Sequence, residues 1–201
     1  MSVVLEELEL GGDAGPWERA GFAVHGEGSV RVGAVTLRFA GEGQGIRAWT
    51  LRGGPQTDVD GLPTRAATGD PPAESGPKHP NGALRLDHIV VFTPDLNRTF
   101  NALEAAGLDL RRVRDAGTAE RPLRQGFYRL GEVILEVVGD VEPAGPARFW
   151  GLVVIVEDLD ATATLLGEGL GRVKDAVQPG RRIATVREPA GLGLPVAFMS
   201  P

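Results

Sequence analysis

The sequence predicts an α+β protein built from repeated β-α-β-β-β modules, and three observations carry that expectation. Apolar residues alternate over short runs bounded by glycine through most of the chain, which is the period of half-buried strands. Two stretches depart from it with apolar residues at helical spacing: "TPDLNRTFNALEAAG" (93–107) and "EDLDATATLLGEG" (157–169). The order strand, helix, strands then recurs along the chain.

Taken in order, "VVLEELEL" (3–10) reads as a strand, "AGPWERAGF" (14–22) as a short helix, and "SVRVGAVTLRFAG" (29–41) and "GIRAWTLRG" (45–53) as strands. Residues 1–54 form a degenerate N-terminal β-α-β module on this reading, and the Pro/Gly-rich residues 55–83 form a linker or long loop. "LRLDHIVVF" (84–92) is a strand, and Thr93 and Pro94 supply an N-cap and first position for a helix through Ala106, with Gly107 closing it. "LDLRRVRD" follows, then "RQGFYRLG" and "EVILEVVGD" joined by a tight turn at Leu130-Gly131-Glu132. Residues 84–140 are thus one module and 147–201 a second, related by a shift of 63 that sets Asp95 on Asp158 and Leu103 on Leu166. A weaker third copy sets Gly33 on Gly131 and Trp49 on Trp150.

Composition narrows the function. The 201 residues are 42% hydrophobic, enough for a sizeable core. A net charge of −6 argues against nucleic acid or an anionic membrane as partner, since both need clustered positive charge. With no cysteine, disulfides, thiolate catalysis and Cys-ligated metals are excluded. The start "MSVVLEELEL" has no basic segment before an apolar one, so the expected location is the cytoplasm.

Paired β-α-β-β-β modules with "LDHIVVFTPDL", "LGEVILEVV" and the "REPAG" turn before the last strand resemble the vicinal oxygen chelate superfamily, which includes glyoxalase I, extradiol dioxygenases and bleomycin-resistance proteins. The resemblance covers residues 84–201 well and 1–54 weakly. It implies two modules curled into a half-open mixed-sheet barrel, helices outside, a ligand in the cleft between modules, and a homodimer as a fair guess. In the metalloenzymes of that group, first and last strands of each module hold a divalent metal (zinc, iron, manganese or nickel). His88 and Glu136 match the histidine and acidic positions of one module, which makes them the candidate catalytic and metal-binding residues. The second module offers Gly151 and either Ala197 or Phe198, which cannot bind a metal, and the N-terminal copy a residue near Glu6 and Arg38, where the arginine would repel a cation. A third ligand would have to come from Glu6, His25, His79 or a second subunit, since catalytic zinc keeps about three protein ligands.

Strand alternation places Leu86, His88 and Val90 on one face, Ile134, Glu136 and Val138 on one face, and Gln125, Phe127 and Arg129 on another shared face. Gln125, Phe127, Arg129, Trp150 and Arg182 are the expected ligand contacts, with Gly151 leaving room for the ligand. Lys174, Arg181, Arg182 and Arg187 surround the Gln178-Pro179-Gly180 turn and suit a carboxylate or phosphate, or else form a solvated rim. Three functions stay open: a small-molecule-binding protein with an incomplete metal site, holding an organic ligand that is anionic or aromatic; a metal-dependent lyase or dioxygenase; and a structural module whose cleft is filled.

Overall fold

The computed structural model describes residues 2–26, 28–70, 76–118, 120, 122–139 and 144–201. Residues 71–75 of the expected linker and 140–143 at the expected boundary between the C-terminal modules lie outside them.

Each module starts with an apolar-rich strand. In the N-terminal half, β1 (Val4–Leu10), α1 (Gly15–Arg19), β2 (Val24–His25), β3 (Ser29–Val32) and β4 (Val35–Phe39) complete a β-α-β-β-β unit. It is followed by β5 (Ile46–Arg52) and β6 (Thr64–Ala66), and the six strands run β2-β3-β4-β1-β5-β6 across one sheet. The N-terminal copy is therefore fuller than the β-α-β unit expected. The expected linker also contains a strand: β6 pairs in parallel with β5, Trp49 opposite Thr64, while Val59 and Leu62 beside it are buried. Three residues have too little pattern to announce a strand; pairing with β5 makes them one.

The C-terminal half comprises β7 (Ala83–Thr93), α2 (Leu96–Ala105), β8 (Leu110–Gly117), β9 (Pro122–Leu130), β10 (Val133–Gly139), β11 (Arg148–Val156), α3 (Leu159–Leu166), β12 (Lys174–Asp175), β13 (Arg182–Thr185) and β14 (Val196–Met199). Its eight strands run β12-β13-β14-β11-β7-β10-β9-β8 in one unclosed sheet. Each module repeats one arrangement: the first strand lies parallel to the last, β7 to β10 and β11 to β14, while β7 and β11 join the modules antiparallel. The helix cap is not Thr93. Asp95 accepts from the Arg98 amide at 3.0 Å, and its repeat partner Asp158 accepts from Asp160 and Ala161. The hairpin turns at Gly33 and Gly131 both need positive φ, 62° and 71°, which glycine adopts at no steric cost.

One continuous core joins the halves. Leu5, Leu8 and Leu10 of β1 and Leu86, Ile89 and Val91 of β7 all enter it. Phe22 stacks on Phe198 with ring centres 5.9 Å apart, and Trp49 meets Phe149 edge-on at 5.2 Å. No helix among the described residues is long and apolar enough to cross a membrane.

Candidate functional site

The faces of the C-terminal strands turned away from this core bound an open cleft. Its apolar part, about 390 Å³, is lined by Val90, Phe92, Trp150, Val153 and Ala197 with His88 and Glu136 at one side. A more polar part of about 370 Å³ shares His88, Gln125 and Glu136 and adds Arg114, Phe127 and Lys174. The cleft is thus not filled by side chains, contrary to what a purely structural module requires.

The floor of the cleft follows from a bulge in β7. Register with β11 sets His88 opposite Val153 but Leu86 opposite Val154, so Asp87 is an extra residue in the ladder. Leu86 is consequently turned into the core and does not share His88's face, as simple alternation had it. The bulge brings Asp87 and His88 together. Asp87, almost fully buried, accepts from His88 Nδ1 at 2.8 Å and from Arg181 at 3.0 Å. Burial pushes the Asp87 carboxyl up, but the hydrogen bonds and charges of His88 and Arg181 outweigh it and hold it below its ordinary value. With Nδ1 of His88 donating to the Asp87 carboxylate, Nε2 is the ring nitrogen turned to the cleft, and in the neutral form of the ring it presents a lone pair. That Nε2 lies 3.7 Å from Glu136 Oε2, too far for a hydrogen bond.

Glu136 is held from its other side. Gln125 donates to Glu136 Oε1 at 2.5 Å, and Arg114 donates to Gln125 at 2.9 Å while lying over the Phe127 ring. An unbroken chain therefore runs from Arg181 through Asp87 to His88, and from Arg114 through Gln125 to Glu136. The gap between its two halves is the only break, and it opens on the cleft. Glu136 Oε2 and, in the neutral ring, His88 Nε2 are acceptors too close together to admit an atom in line between them, but a ligand hydroxyl or N–H seated in front of both reaches either, and His88 Nε2 can take up its proton.

The remaining sequence-predicted residues divide. Gln125, Phe127 and Trp150 line the cleft, Trp150 stacked on Phe92 with centres 5.0 Å apart. Arg129 does not: it is exposed at the hairpin end and donates to the Glu132 carbonyl. Nor does Arg182, whose guanidinium makes two bonds, 2.9 and 2.8 Å, to Asp160 on α3. Its neighbour Arg181 reaches inward instead. Gly151 leaves no room for a ligand; a Cβ there would stand 2.4 Å from the Pro195 carbonyl oxygen, so glycine is needed for the close approach of β14's leading residue. Between the alternatives for the second module, Ala197 lines the cleft and Phe198 is in the core. Trp49 stands at the place of Leu152 rather than Trp150, paired with Leu8 as Leu152 is with Ile89. Asp87 and Arg114 escaped the sequence reading, although two consecutive polar residues in an apolar strand are the signature of a bulge.

No protein-family model and no curated protein matches the chain. Solved structures do. One is catechol 2,3-dioxygenase, 14% identical with a TM-score of 0.66 over 100% of this chain and 89% of that one. Another is a mutant of 4-hydroxymandelate synthase from Streptomyces coelicolor, 15% identical with a TM-score of 0.65 over 98% of this chain and 92% of that one. A xylose isomerase-like TIM barrel/4-hydroxyphenylpyruvate dioxygenase fusion protein matches at 14% identity and a TM-score of 0.65, over 98% of this chain and 48% of that one. The chain has the vicinal oxygen chelate fold.

The metal that this fold holds in some of its members does not fit the residues present. His88 and Glu136 are the two ligand-type side chains at the module positions, and the corresponding positions of the second module carry Gly151 and Ala197. The third ligands weighed from the sequence are elsewhere: Glu6 pairs with Arg52, His25 is exposed on β2, and His79 is bound between the Ala23 amide and the Arg31 carbonyl. Among the described residues no three His, Asp or Glu side chains converge as a metal site.

Proposed function

We propose that the protein binds a small organic molecule in the C-terminal cleft without a metal, with an aromatic or apolar body against Phe92, Trp150 and Val153 and a hydrogen-bond donor seated in front of His88 and Glu136. The observation that carries this is the open gap between His88 Nε2 and Glu136 Oε2, each side fixed by its own buried partners. An apolar cavity with a few fixed polar groups is the usual form of a small-molecule site. The same pair can accept a proton from a bound hydroxyl, so turnover by proton transfer is within its chemistry.

Trp150 supplies the test. It is 39% exposed at the cleft, whereas Trp17 and Trp49 are buried in the N-terminal half. Phenols and other aromatic compounds with one donor should quench tryptophan fluorescence saturably in wild type and not in Trp150→Phe. Prior dialysis against a chelator should leave the titration unchanged. A titration abolished by the chelator and restored by a divalent metal would overturn the metal-free reading.

A further inference from the structure

A second cavity, of about 460 Å³, takes no part in the function proposed above. It is formed where the N-terminal loop 41–45 meets the C-terminal turn 187–195. The loop is fixed there: the Gly45 amide donates to the Gly193 carbonyl and the Gly11 amide to the Gly45 carbonyl, both at 2.9 Å. Gln44 stands on one side; Arg187, Glu188, Leu192 and Leu194 stand on the other. Thr185 and Pro195 line both this cavity and the cleft, so the two adjoin along one wall.

We infer that this cavity is a second compartment of the binding site, taking a carboxylate-ended tail of an elongated ligand whose aromatic body occupies the cleft. The inference rests on the ligand-binding reading of the cleft. Leu192, Leu194 and Pro195 offer an apolar wall to an alkyl linker. Arg187 forms no ion pair among the described residues, so its guanidinium is available to an oxyanion. Glu188 lines the same cavity and repels a second negative charge, which selects a singly charged carboxylate over a phosphate dianion. Gln44 comes from the other half of the chain, so the N-terminal half helps to set which ligands fit.

The experiment is a chain-length series of para-hydroxyphenyl alkanoic acids, from the acetate to the decanoate, titrated by Trp150 fluorescence. Affinity should rise as methylenes enter the second compartment, by at most roughly fourfold each, and then level off. Arg187→Ala should weaken the long acids about fivefold, as expected for a solvent-exposed ion pair, and leave the acetate unchanged. Gln44→Phe, which fills the cavity from an exposed loop without adding a second reporter, should abolish the gain for long acids only. Chain alcohols lacking the carboxylate should be indifferent to Arg187→Ala. Long acids binding no tighter than the acetate, or a gain that survives both variants, would overturn the second compartment while leaving the cleft reading intact. Failure of every acid to quench would instead remove the cleft reading, and this inference with it.

Discussion

In the C-terminal sheet His88 and Glu136 look across an open gap; at the same two places in the N-terminal sheet stand Glu7 and Arg38, bonded at 2.9 Å. The equivalence comes from the ladders. Glu7 of β1 lies opposite Thr36 and Glu9 opposite Arg38, as His88 of β7 lies opposite Ile134 and Val90 opposite Glu136, counting from the like turns at Gly33 and Gly131. The residue at the His88 place, expected near Glu6, is thus Glu7. Arg38 also bonds Glu9 at 2.9 Å, and Arg65 of β6 bonds Glu9 at 2.8 Å. Hydrogen bonds and charge from Arg65 and Arg38 hold the Glu9 carboxyl below its ordinary value despite its burial. One face is closed because its polar groups satisfy each other. The other stays open because each of its polar groups is satisfied from behind, by Asp87 or by Gln125, and none from in front.

The shared apolar side of the two sheets gives the largest expected effects. Leu8→Ala in β1 and Ile89→Ala in β7 each remove a fully buried side chain from one core, and each should cost about 2–5 kcal/mol. Both variants should still unfold in a single denaturant transition by circular dichroism and by tryptophan fluorescence. If Leu8→Ala separates the transitions, the halves have independent cores and the comparison concerns two domains.

The outward faces should respond unequally. His88→Ala removes one of two acceptors at the cleft and should weaken phenol binding by up to about tenfold, the upper end for one neutral hydrogen bond. Glu7→Ala, at the matching place of the closed face, should leave the fluorescence titration unchanged. Equal losses in both would mean that the binding signal does not come from the cleft.

Acid sensitivity separates the halves in another way. His79 accepts from the Ala23 amide through Nδ1 and donates to the Arg31 carbonyl through Nε2, both at 2.9 Å. Burial lowers its pKa below 6.5, with a push from His25, against the opposing effect of the Arg31 carbonyl. The unfolded chain therefore takes up the proton first. This contribution to stability is complete above about pH 6.5 and declines as pH falls below it. Asp87 and Glu9, both depressed, contribute stability that is present above the ordinary carboxylate range and lost only at lower pH. His79→Gln should flatten thermal stability between the two windows and leave the acid limb, which Asp87→Asn should reduce.

How much of this was legible in the sequence depended on whether a position followed strand alternation. The repeat with its shift of 63 located β7, α2, β11 and α3, because the two helical stretches share apolar spacing and Asp95 falls on Asp158, although the sequence alone put the first cap at Thr93. His88 and Glu136 sit at fixed places in a repeated module, and counting along the module reaches them. Asp87 does not follow: the bulge inverts the faces on one side of it, and bulges depend on the partner strand. Arg181 and Arg182 show the same limit, because only the structure tells which of two adjacent arginines turns inward at a short hairpin. Gly151 illustrates a third: a glycine in a strand marks a close approach, and the sequence does not say whether backbone or ligand approaches.

The smallest expected effect tests the closed face itself. Arg38 is 44% exposed, so each of its pairs with Glu7 and Glu9 is worth about 0.2–1 kcal/mol after solvent screening. Arg38→Ala should therefore lower stability by roughly that amount in low salt, and the difference from wild type should shrink in high salt. The variant also leaves Glu7 without its Arg38 partner and Glu9 with Arg65, so the matching face becomes open and net negative. If closure by ion pairs is what distinguishes the halves, Arg38→Ala should acquire weak affinity for a cationic aromatic such as phenylethylamine, read by calorimetry because Trp150 is not at that face. No heat with the amine would mean that the open cleft depends on the apolar wall of Phe92, Trp150 and Val153, which the N-terminal sheet lacks, and not on its unpaired acceptors alone.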